Sequence, residues 1–167
     1  MQATISFRPL AHEDLPLVFD WLNREHVKRW WREALTFADV EAKYRPRIDG
    51  DAKTDMYVIE VDGRPAGMIQ TYLVSDHPEW IGDEPGVAGV DLFIAEEELT
   101  GRGLGPRVLT EFTSRVVFAD PAVTACVAGP EVVNDRSLRA FEKAGFVRER
   151  EIPGESGPEM LMRKERG

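Results

Sequence analysis

The stretch Glu98-Leu99-Thr100-Gly101-Arg102-Gly103-Leu104-Gly105-Pro106-Arg107-Val108-Leu109 decides the fold. Before it, Gly89 to Ala95 is an apolar run that reads as a strand. After it, Leu104, Val108, Leu109, Phe112, Val116 and Val117 fall on one face of a helix. Three glycines therefore sit where a strand hands over to a helix. Glycine permits a tight turn and lets the backbone approach a ligand with no Cβ in the way. N–H groups at a helix N-terminus point outward and carry the positive end of the dipole, a combination that binds phosphate. Pro106 is tolerated in the first helical turn, although it removes one N–H. A plain strand-to-helix turn would leave the same trace. The spacing Gly101, Gly103, Gly105 fits neither a P-loop nor the G-x-G-x-x-G of dinucleotide-binding folds.

A second stretch, Asn134-Asp135-Arg136-Ser137-Leu138-Arg139-Ala140-Phe141-Glu142-Lys143-Ala144-Gly145-Phe146, adds weight to the phosphate reading. Together the two resemble the signatures of the GNAT superfamily, the acetyl-CoA-dependent N-acyltransferases. Thr100 to Gly105 lies on the pattern Q/R-x-x-G-x-G/A. Asn134, Ser137, Lys143, Gly145 and Phe146 lie on N-x-x-A/S-x-x-x-Y-x-K-x-G-F. Two positions depart from these patterns: Thr100 is neither Gln nor Arg, and Phe141 takes the tyrosine position without its hydroxyl.

Within the superfamily the chain resembles the Ib-like group of aminoglycoside 6′-N-acetyltransferases. The matching pieces are Asp20-Trp21-Leu22-Asn23-Arg24, Arg29-Trp30-Trp31, Pro85 to Asp91, Gly101 to Gly105, Asp120 to Thr124 and Glu142 to Phe146. The resemblance implies an α/β (α+β) GNAT fold. Its mixed central sheet would have six to seven strands, with the fourth and fifth splayed and about four helices around it. It also implies an N-acetyltransferase that moves the acetyl group of acetyl-CoA to a primary amine of a small cationic substrate, an aminoglycoside 6′-amine first. The alternatives are a lysine-type or siderophore-precursor amine, or a non-catalytic CoA-binding domain.

Composition bounds these readings. One domain over residues 1–167 is the expectation for this length. Thirty Asp and Glu against 21 Lys and Arg leave a net charge of −9, which argues against a nucleic-acid partner and permits a cationic one. Cys126 is the only cysteine, in an apolar run where it reads as a packing residue. No cysteine-based metal site follows, and no metal is expected. With no signal-peptide pattern and no apolar run of membrane-spanning length, a cytoplasmic monomer or homodimer is expected.

In chain order, Ala3 to Phe7 alternates as a strand, and Asp14 is a candidate cap for a helix from Leu15 to Asn23. Its inward face reads as Leu15, Val18, Phe19 and Leu22. Trp30 and Trp31 read either as core or as a wall of the acceptor pocket. Thr36 or Asp39 opens a second helix with Val40, Ala42, Tyr44 and Ile48 as contacts. Met56 to Val61 and Pro65 to Val74 read as a hairpin about Asp62-Gly63, with Gln70 and Tyr72 on one face. Ser75 to Pro85, with Asp76, His77, Glu79, Trp80, Asp83 and Glu84, reads as a solvated loop or as a lid over a polyamine. Val87 to Ala95 is a strand interrupted by Asp91. Burying that carboxylate needs a reason, either a salt bridge or a catalytic base, and the base is favoured. Val123 to Ala128 is a strand, the Asn134 helix stops at Gly145, and Phe146 to Glu151 pairs with Glu159 to Arg163.

The reaction assigns the remaining roles. An ammonium must lose a proton before it attacks a thioester, and Asp91 is the candidate base, as the resemblance also implies. Backbone N–H groups around Phe93 and Ile94 are candidates for the carbonyl oxygen. Those of Arg102, Gly103, Leu104 and Gly105 would hold the pyrophosphate, with Arg107 for charge and Asn134 for the pantetheine arm. The resemblance implies a cofactor-side position for Phe141, where many relatives have a tyrosine that protonates the departing thiolate; Phe141 cannot do so. Trp30, Trp31, Gln70, Tyr72, Asp76, Trp80 and Glu131 are the candidate acceptor contacts. The Ib-like group has an acidic residue just after the strand that ends at Ala128. Here that position is Gly129, and Glu131 is the expected substitute.

Overall fold

The computed structural model describes residues 2–32, 36–100 and 103–167. The elements run β1 (Ile5–Pro9), α1 (Leu15–Leu22), α2 (Glu25–Lys28), α3 (Phe37–Ile48), β2 (Asp55–Val61), β3 (Arg64–Leu73), α4 (Pro78–Ile81), β4 (Val87–Ile94), α5 (Leu104–Arg115), β5 (Ala125–Ala128), α6 (Asp135–Lys143), β6 (Val147–Ile152) and β7 (Glu159–Glu165). The seven strands form one mixed sheet in the order β1-β2-β3-β4-β5-β7-β6. β4 and β5 are parallel through only three pairs, Val87↔Ala125, Ala88↔Cys126 and Gly89↔Val127, while β4 runs on to Ile94. That early end to the pairing is the splay expected of the fourth and fifth strands. Six helices are described where about four were expected. The additional α2 and α4 have four residues each, too few for an apolar period to show. No helix among the described residues is long and apolar enough to cross a membrane.

The chain forms two compact units. The first holds residues 1–70 and 92–99. Here β1 pairs antiparallel with β2 from Ile5↔Val61 to Pro9↔Tyr57. Asp62 and Gly63 both adopt positive φ, 52° and 78°, the backbone a two-residue primed turn demands. α3 begins on a capping box, Thr36 accepting from the Asp39 N–H while the Asp39 carboxylate accepts from that of Thr36. The core gathers Leu15, Val18, Trp21 and Leu22 from α1 with Val40 and Tyr44 from α3 and Met68 and Phe93 from the strands. Trp21, not Phe19, is the large side chain α1 buries, and Ala42 lies outside that core. Asp14 makes no side-chain cap to α1. Its carboxylate instead takes both terminal nitrogens of Arg8, at 2.7 and 2.9 Å, and the N–H of Ala11.

The second unit holds residues 71–91 and 100–167. α5 buries Leu104, Val108, Leu109 and Phe112, the face its period predicts. β5 is wholly buried, and Cys126 lies in it with its thiol pushed up to about 12 by burial. α6 starts at Asn134, whose side-chain oxygen accepts from the Ser137 N–H. β7 pairs antiparallel with both β5 and β6, with a register shift in β6 between Arg148 and Arg150.

Candidate active site

The second unit brings Asp91 together with Tyr72, Trp80 and Glu159. Gly89 and Asp91 are two residues apart on β4 and so share a face. A Cβ on Gly89 would overlap the Tyr72 ring, lying 2.8 Å from its hydroxyl oxygen. Glycine therefore lets Tyr72 lie flat across the strand. From there the Tyr72 hydroxyl is hydrogen-bonded to Asp91. Burial, reinforced by the negative charge and hydrogen bond of Asp91, holds the Tyr72 pKa well above its ordinary value, so the phenol stays protonated and donates. Two further rings frame Tyr72 edge-on: His77 at 5.1 Å and Trp80 at 6.2 Å between centroids. His77 links a short helical turn at 74–76 to α4, which carries Trp80, so the stretch expected as a loop is locally helical.

Across from this wall, Glu159 is hydrogen-bonded by Trp80. Glu159 bridges antiparallel to Glu131 just beyond β5, held by Val132 N–H to Pro158 O at 3.0 Å and Met160 N–H to Pro130 O at 2.8 Å. Burial first, then the negative charges of Asp91, Glu131 and Glu155, raise the Glu159 pKa, while the Trp80 bond opposes the rise. The resulting surface is aromatic and acidic, suited to a polycation. Among the described residues no cluster of His, Cys, Asp and Glu is arranged to hold a metal ion. Glu84, from the same 75–85 segment, is tied elsewhere, to Arg163 at 2.8 Å. Asp76 is exposed.

The residues expected for the cofactor occupy several settings. Gly103 is the residue before α5 and has φ 74°, a left-handed conformation; a Cβ there would meet nothing within 4 Å. Among the described residues no side chain caps this helix, and its first turn carries no acidic residue, so its N–H groups keep their positive field. That arrangement fits a pyrophosphate. Leu104 is buried, contributing backbone only, and Gly105 faces Ala140 of α6, where a Cβ on the glycine would lie 3.6 Å from that of Ala140. Arg107 is bonded to Glu111 at 3.3 Å, so part of its charge is already met. Arg102 lies outside the described residues. Asn134 spends its carbonyl on the α6 cap, leaving its NH2 group to donate. Phe141 is buried and packs edge-on against Phe146 at 5.0 Å, a core position.

In the first unit, Phe93 is buried and meets Trp21 and Trp31 edge-on at 6.1 and 5.1 Å. The Trp31 indole N–H reaches the Tyr44 hydroxyl at 3.4 Å. Trp31, partly buried, thus packs against the core of this unit, as one of the two readings of the tryptophan pair expects. Trp30 carries Arg29 over its ring at 5.0 Å and Arg32 at 6.0 Å. Gln70 accepts from Arg47 at 3.0 Å, a partner the strand period does not predict. The end of β4 is anchored by His26, which donates to the Ile94 carbonyl at 3.1 Å, and by Arg24, which donates to that of Ala95 at 2.9 Å.

The sequence does not single out Glu159 or Gly89 as parts of the candidate site. Glu159 looked like one more charge in a terminal hairpin. Only the bridge to Glu131 places it beside Trp80.

Known proteins resemble this chain in sequence and in fold. The profile of the acetyltransferase (GNAT) domain matches residues 11–153. The chain is 33% identical over 165 residues to aminoglycoside N(6')-acetyltransferase type 1 of Klebsiella pneumoniae, covering 95% of this chain and 82% of that protein. It is 27% identical over 142 residues to the lysine N-acyltransferase MbtK of Mycolicibacterium paratuberculosis, covering 79% and 60% respectively. The crystal structure of aminoglycoside acetyltransferase AAC(6')-Ib in complex with coenzyme A and kanamycin superposes with a TM-score of 0.85 at 30% identity, over 98% of this chain and 95% of that one. With its seven-stranded mixed sheet, its open helix N-terminus at Gly103 and a matching profile over most of its length, the chain belongs to the GNAT acetyltransferase family.

Proposed function

We propose that the protein transfers the acetyl group of acetyl-CoA to the 6′-amine of an aminoglycoside, with Asp91 as the general base. The observation that carries this reading is the setting of Asp91: a neutral phenol bonds it, and aromatic and acidic groups surround it. A carboxylate bonded by Tyr72 is fixed in direction yet keeps a negative charge for an incoming ammonium. When bound, acetyl-CoA supplies its acyl carbon as a thioester: the amine nitrogen bonds to that carbon, the C–S bond breaks, and CoA leaves to become the thiol. Asp91 attracts the ammonium and takes its proton, directly or through one water. Tyr72 orients the carboxylate and adds no positive charge to compete with the amine. Gly103 and the α5 N-terminus would receive the pyrophosphate, and the Asn134 NH2 group the pantetheine amides. Phe141 offers no proton, so the departing thiolate, with a thiol pKa of about 8.5, is protonated by solvent.

The lysine acyl-acceptor reading draws on the mycobacterial relative. Its substrate amine sits on a molecule that also carries a carboxylate. Glu131, Glu155 and Glu159 repel such a group, whereas an aminoglycoside presents several ammoniums and no anion. The test is release of CoA thiol from acetyl-CoA with kanamycin, with paromomycin, which has a hydroxyl at the 6′ position, and with free lysine. Turnover with kanamycin alone is expected. Turnover with lysine and none with kanamycin would overturn the reading.

A further inference from the structure

Residue 129, the first after β5, is a glycine and carries no side chain into the candidate site. The structure shows what occupies the space instead. A Cβ built on Gly129 would lie 2.8 Å from Oε1 of Glu159 and 3.0 Å from Cζ2 of Trp80. The side chain that residue 129 lacks is thus replaced, in the same volume, by a carboxylate reaching over from β7. A second glycine makes the other side of the slot: a Cβ on Gly154 would lie 2.6 Å from Oε2 and 2.7 Å from Cγ of Glu159. Gly129 and Gly154 together open a channel one side chain wide, and Glu159 fills it. The Trp80 hydrogen bond and the backbone bridge to Glu131 fix its position.

We infer that Glu159 is the specificity-determining carboxylate of the acceptor site, holding a second ammonium of the substrate while Asp91 receives the reacting one. The inference rests on the proposed aminoglycoside acetylation. It differs from the expectation placed on Glu131, which lies across the bridge as a neighbour. Burial and three negative neighbours already work against the charge on Glu159, so an incoming cation relieves a repulsion that the free protein bears. It follows that acceptors with two or more amines are selected over simple monoamines.

The experiment is steady-state kinetics with kanamycin and acetyl-CoA on wild type, Glu159→Gln, and the double variant Glu159→Ala with Gly129→Asp. Loss of a charged hydrogen bond predicts a rise in KM for kanamycin of about 10- to 100-fold in Glu159→Gln. kcat should move by less than about 3-fold, and KM for acetyl-CoA should stay put, a split a merely structural defect would not give. The double variant returns a carboxylate to the same volume from the other strand and should recover at least half of the lost affinity on a logarithmic scale. An active wild type with an unchanged kanamycin KM in Glu159→Gln overturns the assignment of Glu159 and leaves the proposed function standing. If Glu159→Gln fails to fold, the double variant decides: no recovery of kanamycin KM, with acetyl-CoA binding intact, overturns the assignment. A wild type that acetylates no aminoglycoside overturns the proposed function itself and the role of Glu159 with it.

Discussion

Asp14 and Asp91 are carboxylates of similar appearance in the sequence, each beside apolar residues, and the two units treat them in opposite ways. Asp14 is 7% exposed and gripped by the Arg8 guanidinium and the Ala11 N–H. Burial pushes its pKa up, but those bonds prevail and hold it below the usual carboxylate value. Asp91 is half-buried and bonded by Tyr72, a group that carries no charge. A carboxylate neutralised by a guanidinium has little left to offer a ligand. One bonded by a phenol sits beside a second acid, Glu159, a setting that suits the ammonium of the proposed reaction. Under the proposed function, the difference teaches that the charge of the partner, and not burial alone, separates a structural acid from a chemical one.

The hardest test of that contrast is Asp91→Asn. It keeps the shape and removes the charge. As general base, Asp91 should account for about 100- to 10,000-fold in turnover with kanamycin, while the rise in melting temperature on adding acetyl-CoA is retained. A near wild-type rate would make Asp91 a second Asp14.

Gly89→Ala probes the orientation and not the charge. The new methyl collides with the Tyr72 ring, which must leave β4 and release Asp91. Displacing a catalytic group by roughly 1 Å costs on the order of 100-fold in rate. kcat should fall with little change in KM for acetyl-CoA, and Tyr72→Phe should lower it less, because the ring stays and only the bond goes. If Gly89→Ala folds and turns over normally, Tyr72 does not position the base.

The smallest effect belongs to the structural acid. Arg8→Met leaves Asp14 buried without its cation and should cost about 1–2 kcal/mol in urea unfolding at neutral pH, the lower part of the range for charged hydrogen bonds because Arg8 is 37% exposed at its side chain. A lowered folded pKa means that the stabilisation is complete above the unfolded value of about 3.9 and is lost as pH falls through the folded one. Stability of the variant should therefore decline less steeply than wild type below about pH 4. Parallel acid limbs in the two proteins would show that Arg8 does not set the Asp14 titration.

The sheet, the strand-to-helix turn and α5 were legible because long apolar periods determine them. Asp91 was legible as a break in such a run. Tyr72 was legible by its two-residue period, but its true companion was not: Gln70, on the same expected face, pairs with Arg47. Three things escaped for one physical reason, that each depends on a contact distant in sequence. Asp14 reads as a cap until Arg8 is seen on it. Trp31 reads equally as core or as a pocket wall until it is seen packed on Phe93. Glu159 is silent until the strand bridge at Glu131 brings it beside Gly129.

The slot shared by Gly129 and Glu159 has a consequence for descent. A larger residue at 129 meets the Glu159 carboxylate at 2.8 Å, so an acidic replacement there sets two anions against each other and dislodges the Trp80 bond. Losing Glu159 first leaves the slot without any charge. With Glu159 as the inferred acid of the acceptor site, the two positions are epistatic: passage between an acid on one strand and an acid on the other runs through an intermediate worse than either end.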